Sequence, residues 1–343
     1  MTFFAKTLIE WYLHHKRDLP WRSSNNPYHI WLSEIMLQQT RVSQGMPYYF
    51  AFTDAFPTVF ELAQADEQQV LKLWQGLGYY SRARNLHATA KTVAAMGGNF
   101  PNSFEQLRKL KGVGDYTAAA IASIAFSQPV PVIDGNVFRV MSRFFGLEDD
   151  IAQQRSRKVF WDLAIQNIPH DDPGTYNQAV MEFGALQCVP RNPDCGVCPL
   201  RASCSAFQTG AVSRLPVKSG KAAPRNRYLN YLVILDDAGQ TILKQRTQAG
   251  IWKHLYEFPV IEAAEPFELS DLEPHTNDFA GLIACEPLPE YDVIHKLTHQ
   301  TLHITFTRVQ VKKIHQNAVG IASVAQYPFP VVLANFIERY FKS

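Results

Sequence analysis

Two carboxylates stand in stretches where carboxylates are rare. Glu34 lies within Trp31-Leu32-Ser33-Glu34-Ile35-Met36-Leu37, and Asp134 interrupts a largely apolar run from Val130 to Val140. A charge in such surroundings is unfavourable unless it has good partners or a task. Burial raises a carboxyl pKa, which suits Glu34 to give up a proton near neutrality. Asp134 suits the complementary task of staying ionised beside a positive centre, and Asn136, two residues on, is placed to hydrogen-bond that form. Each residue has a plainer alternative. Glu34 fits a satisfied carboxyl at a helix packing site, and Asp134 fits an Asp-Gly turn.

Four of the five cysteines fall within 17 residues: Cys188, Cys195, Cys198 and Cys204, spaced C-x6-C-x2-C-x5-C. Such clustering argues for metal ligation rather than disulfides, by zinc or by an iron–sulfur cluster. Only Cys195 and Cys198 form the short knuckle that structural zinc sites use in pairs. Cys285 stands apart and reads as a buried thiol.

A third group has no charge. Leu110-Lys111-Gly112-Val113-Gly114-Asp115-Tyr116-Thr117-Ala118 reads as a tight turn between two helices, with Gly112 and Gly114 where the backbone must turn or meet something closely. Tyr116 to Ser123 open an Ala-rich helix. Free N–H groups at a glycine turn and helix start form a phosphate site; an ordinary interhelical turn is the alternative.

The elements that must hold these groups divide in two. Apolar spacing predicts helices from the N-terminus (Phe4, Leu8, Trp11, Tyr12) through residue 208. They include 28–37, with Asn26 as cap and Pro27 in its first turn, and 60–65, 67–74, 80–96, 104–109, 156–168 and 178–186. Residues 209–226 read as a linker rich in Gly, Ser, Pro and Lys. After it the pattern becomes β: strands over 228–235, 241–245, 255–260 and 302–311, then a helix over 331–341. The expected domains are 1–208, all-helical, and 227–343, α+β.

Of 343 residues, 46% are hydrophobic, which excludes a disordered chain. No apolar run approaches membrane-spanning length. The first 21 residues lack a signal-peptide core, so a cytoplasmic location, at the nucleoid if bacterial, is expected. Net charge is +2, with four basic and no acidic residues from Pro216 to Arg227. A nucleic-acid face would therefore be a local patch.

L-x-G-V-G-x-x-T-A followed by V-I-D-G-N-V resembles the helix-hairpin-helix DNA glycosylases. The resemblance implies that the hairpin about 105–125, through Gly112, Val113 and Gly114, grips a DNA phosphate while Asp134 faces the sugar of an extruded nucleotide. The cysteine spacing is similar to the cluster loop of endonuclease III and MutY, implying one [4Fe-4S] cluster in 188–204. Trp31 to Val42, Gly76 to His87 and Met181 to Cys188 extend the likeness to the MutY adenine glycosylase family over almost the whole chain. It implies Glu34 as the acid toward adenine, Gln39 and Tyr79 as wedges in the duplex, and Trp21, Arg22, Leu37, Val42 and Glu182 as parts of the adenine pocket. The substrate implied is duplex DNA with adenine opposite 8-oxoguanine or guanine, and the acting form is expected to be a monomer.

Bifunctional relatives carry a Lys two residues after the second hairpin glycine. Here that position is Tyr116, and a phenol cannot form an imine. A monofunctional hydrolase is expected, with Tyr116 bonded to both catalytic carboxylates. The C-terminal region resembles a Nudix-like 8-oxoguanine-reading domain. Gly250 to Pro259 has no Glu-rich helix after it, so binding without hydrolysis is expected. The lesion-reading triplet corresponds to Leu297-Thr298-His299, with Thr298 and His299 as contacts; a plain alternating strand face of His295, His299 and His303 is the alternative. Two other functions compete: a glycosylase for thymine in G·T mismatches, against which Glu34 argues, and a DNA-scanning or redox-sensing protein without catalysis.

Overall fold

A computed structural model describes residues 1–220, 223–263 and 279–341. In chain order the helices are α1 (Phe3–His15), α2 (Pro27–Leu37), α3 (Val42–Ala55), α4 (Val59–Gln64), α5 (Glu67–Leu73), α6 (Ser81–Ala95), α7 (Phe104–Leu107), α8 (Asp115–Phe126), α9 (Gly135–Phe145), α10 (Gln154–Asn167), α11 (Pro173–Leu186) and α12 (Ser205–Gln208). Strands β1 (Arg225–Asp236), β2 (Gln240–Ile242), β3 (Lys244–Gln245), β4 (Tyr256–Glu257), β5 (Val260–Ala263), β6 (Phe279–Pro287), β7 (Val293–Lys296), β8 (Gln300–Ile314) and β9 (Ala318–Gly320) follow, then α13 (Ile321–Val324) and α14 (Val331–Phe341).

The chain forms two units, one of residues 1–64 and 85–220, the other of 65–84 and 221–343. The first is helical. The stripe expected on α1 is buried, with Phe4, Leu8, Trp11 and Tyr12 each 9% exposed or less. These residues share a core with Val137, Val140 and Met141 of α9, Phe160 of α10 and Tyr176, Val180 and Phe183 of α11. Asn26 caps α2 as expected, accepting from the Tyr28 N–H at 2.9 Å. Three of the longer helices differ from the sequence pattern. The spacing gave no helix at α3, which carries Pro47 inside it. α9 begins where an Asp-Gly turn is the simpler reading, because Asp134 caps it. α11 starts five residues before the expected 178, with Asp172 as cap and Pro173 in the first turn.

The second unit has a seven-stranded mixed sheet in the order β6-β8-β1-β2-β9, with β5 also on β1 and β7 also on β8. Its centre is the parallel pair β1–β8, twelve residues in register from Arg225↔Gln300 to Asp236↔Val311. β1 is buried through its last eight residues, as strands covered on both faces are. Phe336 of α14 stacks on Phe306 of β8 at 4.0 Å. β6 and β7 lack the alternation that would mark them, since Leu282, Ile283 and Ile294 are more than half exposed. Residues 65–84 belong to this unit, not to the domain 1–208 expected from composition. Side chains tie them there: Lys72 Nζ donates to the Ala325 carbonyl at 2.6 Å, Tyr80 to the Phe329 carbonyl at 3.1 Å and Arg84 to the Lys253 carbonyl at 2.7 Å. Within the expected linker 209–226, Lys221 and Ala222 lie outside the described residues. The stretch after Pro259, where no Glu-rich helix is expected, falls largely on 264–278, also outside them.

Candidate active site

Glu34 sits in the third turn of α2, a helix apolar nearly all round. The helix is buried through Ile30, Trp31, Leu32, Ile35 and Met36, which leaves Glu34 half-buried at the mouth of two cavities. Burial pushes its carboxyl up to about 7; the Tyr116 hydroxyl pulls it down, the Asp134 charge pushes it up and Arg22 pulls it down. At neutrality such a group holds and releases a proton with equal ease. Leu37, Tyr116 and Asp134 line both cavities with it, the larger of about 610 Å³ and the smaller of about 180 Å³.

Asp134 is held by its own helix. One carboxylate oxygen accepts from the N–H of Asn136 at 2.9 Å and of Val137 at 2.7 Å. The other accepts from the Asn136 amide at 2.8 Å. Burial raises the Asp134 pKa, and these three donors, with Arg139, work against that rise. The donors and the positive end of α9 favour the ionised form. Asn136 is held in turn: Arg139 Nη2 donates to its side-chain oxygen at 2.8 Å and to the Gly184 carbonyl at 2.6 Å, and Arg139 Nε donates to the Cys188 carbonyl at 2.7 Å. Asp134 is thus joined to the cysteine loop through two side chains.

Tyr116 departs from the expectation of a phenol bonded to both carboxylates. Its hydroxyl meets Met181 Sδ at 3.2 Å and, of the two carboxylates, bonds on the Glu34 side, where that bond lowers the Glu34 pKa. Asp134 is engaged by Asn136 and Val137 instead, because capping α9 occupies it.

The smaller cavity is lined by Trp21, Arg22, Leu37, Val42 and Glu182, the residues expected to form a base pocket. Glu182 is 1% exposed and saturated by two arginines. Its carboxylate accepts from the Arg17 N–H at 2.9 Å, from Arg17 Nε at 2.8 Å and Nη2 at 2.6 Å, and from both Arg22 terminal nitrogens at 3.1 and 2.9 Å. Burial alone would raise its pKa; these bonds outweigh burial and hold it at about 2.

In the hairpin, Gly112 has φ +78°, and a Cβ there would lie 2.6 Å from Asn85 Cβ. Gly114 has ordinary extended backbone, and a Cβ there would meet nothing within 4 Å. No side chain caps α8 at Gly114. Val113, by contrast, is a core residue, 5% exposed.

All four clustered sulfurs ring one nearly apolar cavity with Val140, Phe183 and Leu200. Arg143 beneath it donates to the Val189 carbonyl at 2.8 Å and the Pro190 carbonyl at 3.1 Å and approaches Cys188 Sγ at 3.4 Å. Burial raises the Cys195, Cys198 and Cys204 thiols, Cys198 to about 11. Four soft thiolates around one cavity, with a buried guanidinium beside them, fit an anionic iron–sulfur group.

Residues 32–165 match the HhH-GPD superfamily of base excision DNA repair proteins, 188–204 the iron–sulfur binding domain of endonuclease III, and 230–339 the NUDIX domain. The adenine DNA glycosylase of Buchnera aphidicola subsp. Baizongia pistaciae is 35% identical over 91% of this chain and 87% of its own. The chain belongs to the adenine DNA glycosylase family. The Arabidopsis thaliana adenine DNA glycosylase is 38% identical over 74% of this chain, which spans 46% of that relative. Among solved structures, a thermostable thymine-DNA glycosylase matches with a TM-score of 0.56 and 28% identity, over 60% of this chain and 95% of that one. The cofactor of this glycosylase is an iron–sulfur group, and its fold joins a helix-hairpin-helix domain to a Nudix-like one.

The other residues that the family resemblance singled out in this glycosylase fall in two places. Gln39, with φ +56°, follows α2 and lines the larger cavity. Tyr79, with φ +49°, is 47% exposed and belongs to the second unit. There its hydroxyl meets Thr298 Oγ1 at 2.8 Å. Thr298 and His299 are exposed in the turn from β7 to β8, closed by the Leu297 N–H on the Gln300 carbonyl at 2.8 Å. That turn breaks the alternating His face: His295 and His303 pair with Leu302 and Ile294, so they point to opposite sides. Sequence reasoning missed Arg17, whose bonds complete Glu182, and Met181, which fixes Tyr116. It also missed Arg82, whose Nη2 donates to the Gly78 carbonyl at 3.2 Å below the Tyr79 ring. None carried a signal beyond its residue type.

Proposed function

We propose that the chain removes adenine mispaired with 8-oxoguanine or guanine in duplex DNA by hydrolysis of the N-glycosidic bond, without cutting the strand. The observation that carries this reading is the pairing of a carboxyl poised near pH 7, Glu34, with a capped carboxylate, Asp134, at the neck of a base-sized cavity. Adenine leaves the stack and enters the smaller cavity between Trp21, Leu37 and Val42. Arg22, itself fixed by Glu182, lends positive charge near Glu34. Protonated Glu34 gives its proton to the purine, whose departure leaves oxocarbenium character on the sugar. Asp134, kept ionised by Asn136, stabilises that charge, and deprotonated Glu34 directs water to it. Tyr116 supplies no amine, so no Schiff base forms and no lyase step follows. Gln39 and Tyr79 are assigned to the duplex beside the mispair, the α8 N-terminus with Gly112, Val113 and Gly114 to a phosphate, and Thr298 and His299 to the 8-oxoguanine.

The second unit is assigned to lesion reading without nucleotide hydrolysis. Cys188, Cys195, Cys198 and Cys204 are assigned one [4Fe-4S] cluster, which locks the loop under α9; the acting species is a monomer, working where cytoplasmic DNA is. Single-turnover reactions on 8-oxoguanine·A, G·A and G·T duplexes, each read before and after alkali, test the reading. Breaks only after alkali, at the adenine, fastest opposite 8-oxoguanine, are expected. Breaks without alkali, or faster breaks at G·T, would overturn it.

A further inference from the structure

The larger cavity has a charge problem. Glu34, Asp115 and Asp134 all line it, yet a DNA strand that delivers a nucleotide there brings a phosphate on each side of the sugar. One basic side chain lines the same cavity: Arg157 of α10. The carboxylates already have partners. Asp134 accepts three hydrogen bonds. Asp115 pairs with Arg108 at 2.6 Å. Glu34 faces Tyr116 and feels Arg22. Arg157 is exposed, and among the described residues no ion pair engages it, while its neighbour Lys158 is paired with Asp162 at 2.8 Å.

The scaffold under Arg157 is rigid. α10 is anchored in the core by Phe160 and Ala164, each 2% exposed or less. Trp161, one turn after Arg157, lines the cavity too and packs on Phe104 at 5.7 Å. A guanidinium with no ion-pair partner among the described residues, set on a fixed helix at the rim of an acidic cavity, matches a phosphodiester in charge and in its forked donor geometry. The family's hairpin supplies neutral N–H donors; Phe138, which also lines the cavity, supplies no charge.

We propose that Arg157 binds a phosphate of the strand carrying the extruded nucleotide, offsetting the carboxylates that flank its path. The proposal rests on the glycosylase reading above. It makes Arg157 a binding residue outside the hairpin, with a full charge where the hairpin offers backbone dipoles.

The test uses the full-length protein and a duplex with 8-oxoguanine opposite 2′-fluoro-2′-deoxyadenosine, which resists cleavage. Affinity is measured against salt for wild type, Arg157→Ala and Arg157→Lys. Loss of one phosphate contact is expected to flatten the slope of log affinity against log salt by about 0.9 and to weaken binding roughly tenfold at moderate salt, with Lys restoring most of both. Single neutral methylphosphonates are then placed at each phosphate around the fluoro-nucleotide. One position should weaken wild type and leave Arg157→Ala unaffected. Unchanged affinity and slope in Arg157→Ala, or no position that couples to it, overturns the proposal. So does a slower saturated excision rate with a shifted pH profile and intact binding, which would make Arg157 a partner of the carboxylates. Wild type that binds and excises normally beside such a result leaves the glycosylase reading standing. Wild type that neither prefers nor cleaves the mispair removes both.

Discussion

Replacing Glu182 by Gln keeps its shape and removes its charge. The structure sets the size of the effect. Two arginines hold the carboxyl at about 2 against an ordinary glutamate value of 4.5. The difference, about 2.5 pH units at about 1.4 kcal/mol each, corresponds to roughly 3 kcal/mol of folding stability. Arg17 is 38% exposed, so solvent screens part of its share, and about 2 kcal/mol is the figure we expect from the charge. Stranding Arg22, 16% exposed, beside a neutral amide adds to the loss. The folded-state pKa is depressed, so this stability is present above the unfolded value of about 4.5 and is lost as pH falls toward 2. Urea unfolding from pH 7 down to pH 3 checks this. Glu182→Gln should be less stable than wild type by about 2–4 kcal/mol at pH 7, and the two should converge as the wild type loses its charge. A gap below about 1 kcal/mol at pH 7, or one that does not narrow between pH 7 and pH 3, would refute the assignment of stability to this ion pair. Excision should fall as well, because Arg22 and Glu182 line the smaller cavity together.

The Tyr116 hydroxyl lowers the Glu34 pKa, so Tyr116→Phe should move the alkaline limb of the excision pH profile upward; an unmoved or acid-shifted limb would contradict the contact. At Gly184, a Cβ would stand 2.6 Å from Asn136 Cβ and 3.1 Å from its carbonyl oxygen. Gly184→Ala should therefore destabilise by about 1–3 kcal/mol and, by shifting the Asn136 amide off Asp134, lower the excision rate more than DNA affinity. Cys198→Ser should diminish iron content and the visible iron–sulfur absorbance and lower thermal stability, since loop 188–204 closes over that cavity. Iron content and absorbance equal to wild type would remove Cys198 from the ligand set.

How much could be read from the residues depended on whether the signal was local. The caps at Asn26 and the stripe on α1 follow from neighbours in sequence, and both are as expected. The four cysteines announced a cofactor because their spacing is itself the signal. Glu34 and Asp134 stood out because each is charged in an apolar stretch, although 100 residues separate them. The cap that Asp134 provides was legible by the same helix-start rules that marked Asn26, although neither the catalytic reading of Asp134 nor its plainer alternative, an Asp-Gly turn, included it. Other features were not local at all. Arg17 and Arg22 meet Glu182 across 165 and 160 residues. Exposed apolar residues on β6 and β7 hid those strands, because edge positions relax the alternation that burial enforces. Residues 65–84 join the second unit through side chains bonded to distant carbonyls, which no compositional change records.

The central claim is that excision runs through a proton delivered by Glu34 to the purine ring. The most direct measurement is single-turnover excision of adenine and of 7-deazaadenine opposite 8-oxoguanine, by wild type and Glu34→Gln, across pH 5 to 9. We expect adenine excision to decline as pH rises through about 7, the Glu34 value. We also expect 7-deazaadenine, which has no N7 to protonate, to bind without being released, and Glu34→Gln to bind adenine duplex while excising it at least about a hundredfold more slowly. Release of 7-deazaadenine at a rate near that of adenine, or a Glu34→Gln enzyme with wild-type rate and pH profile, would contradict it.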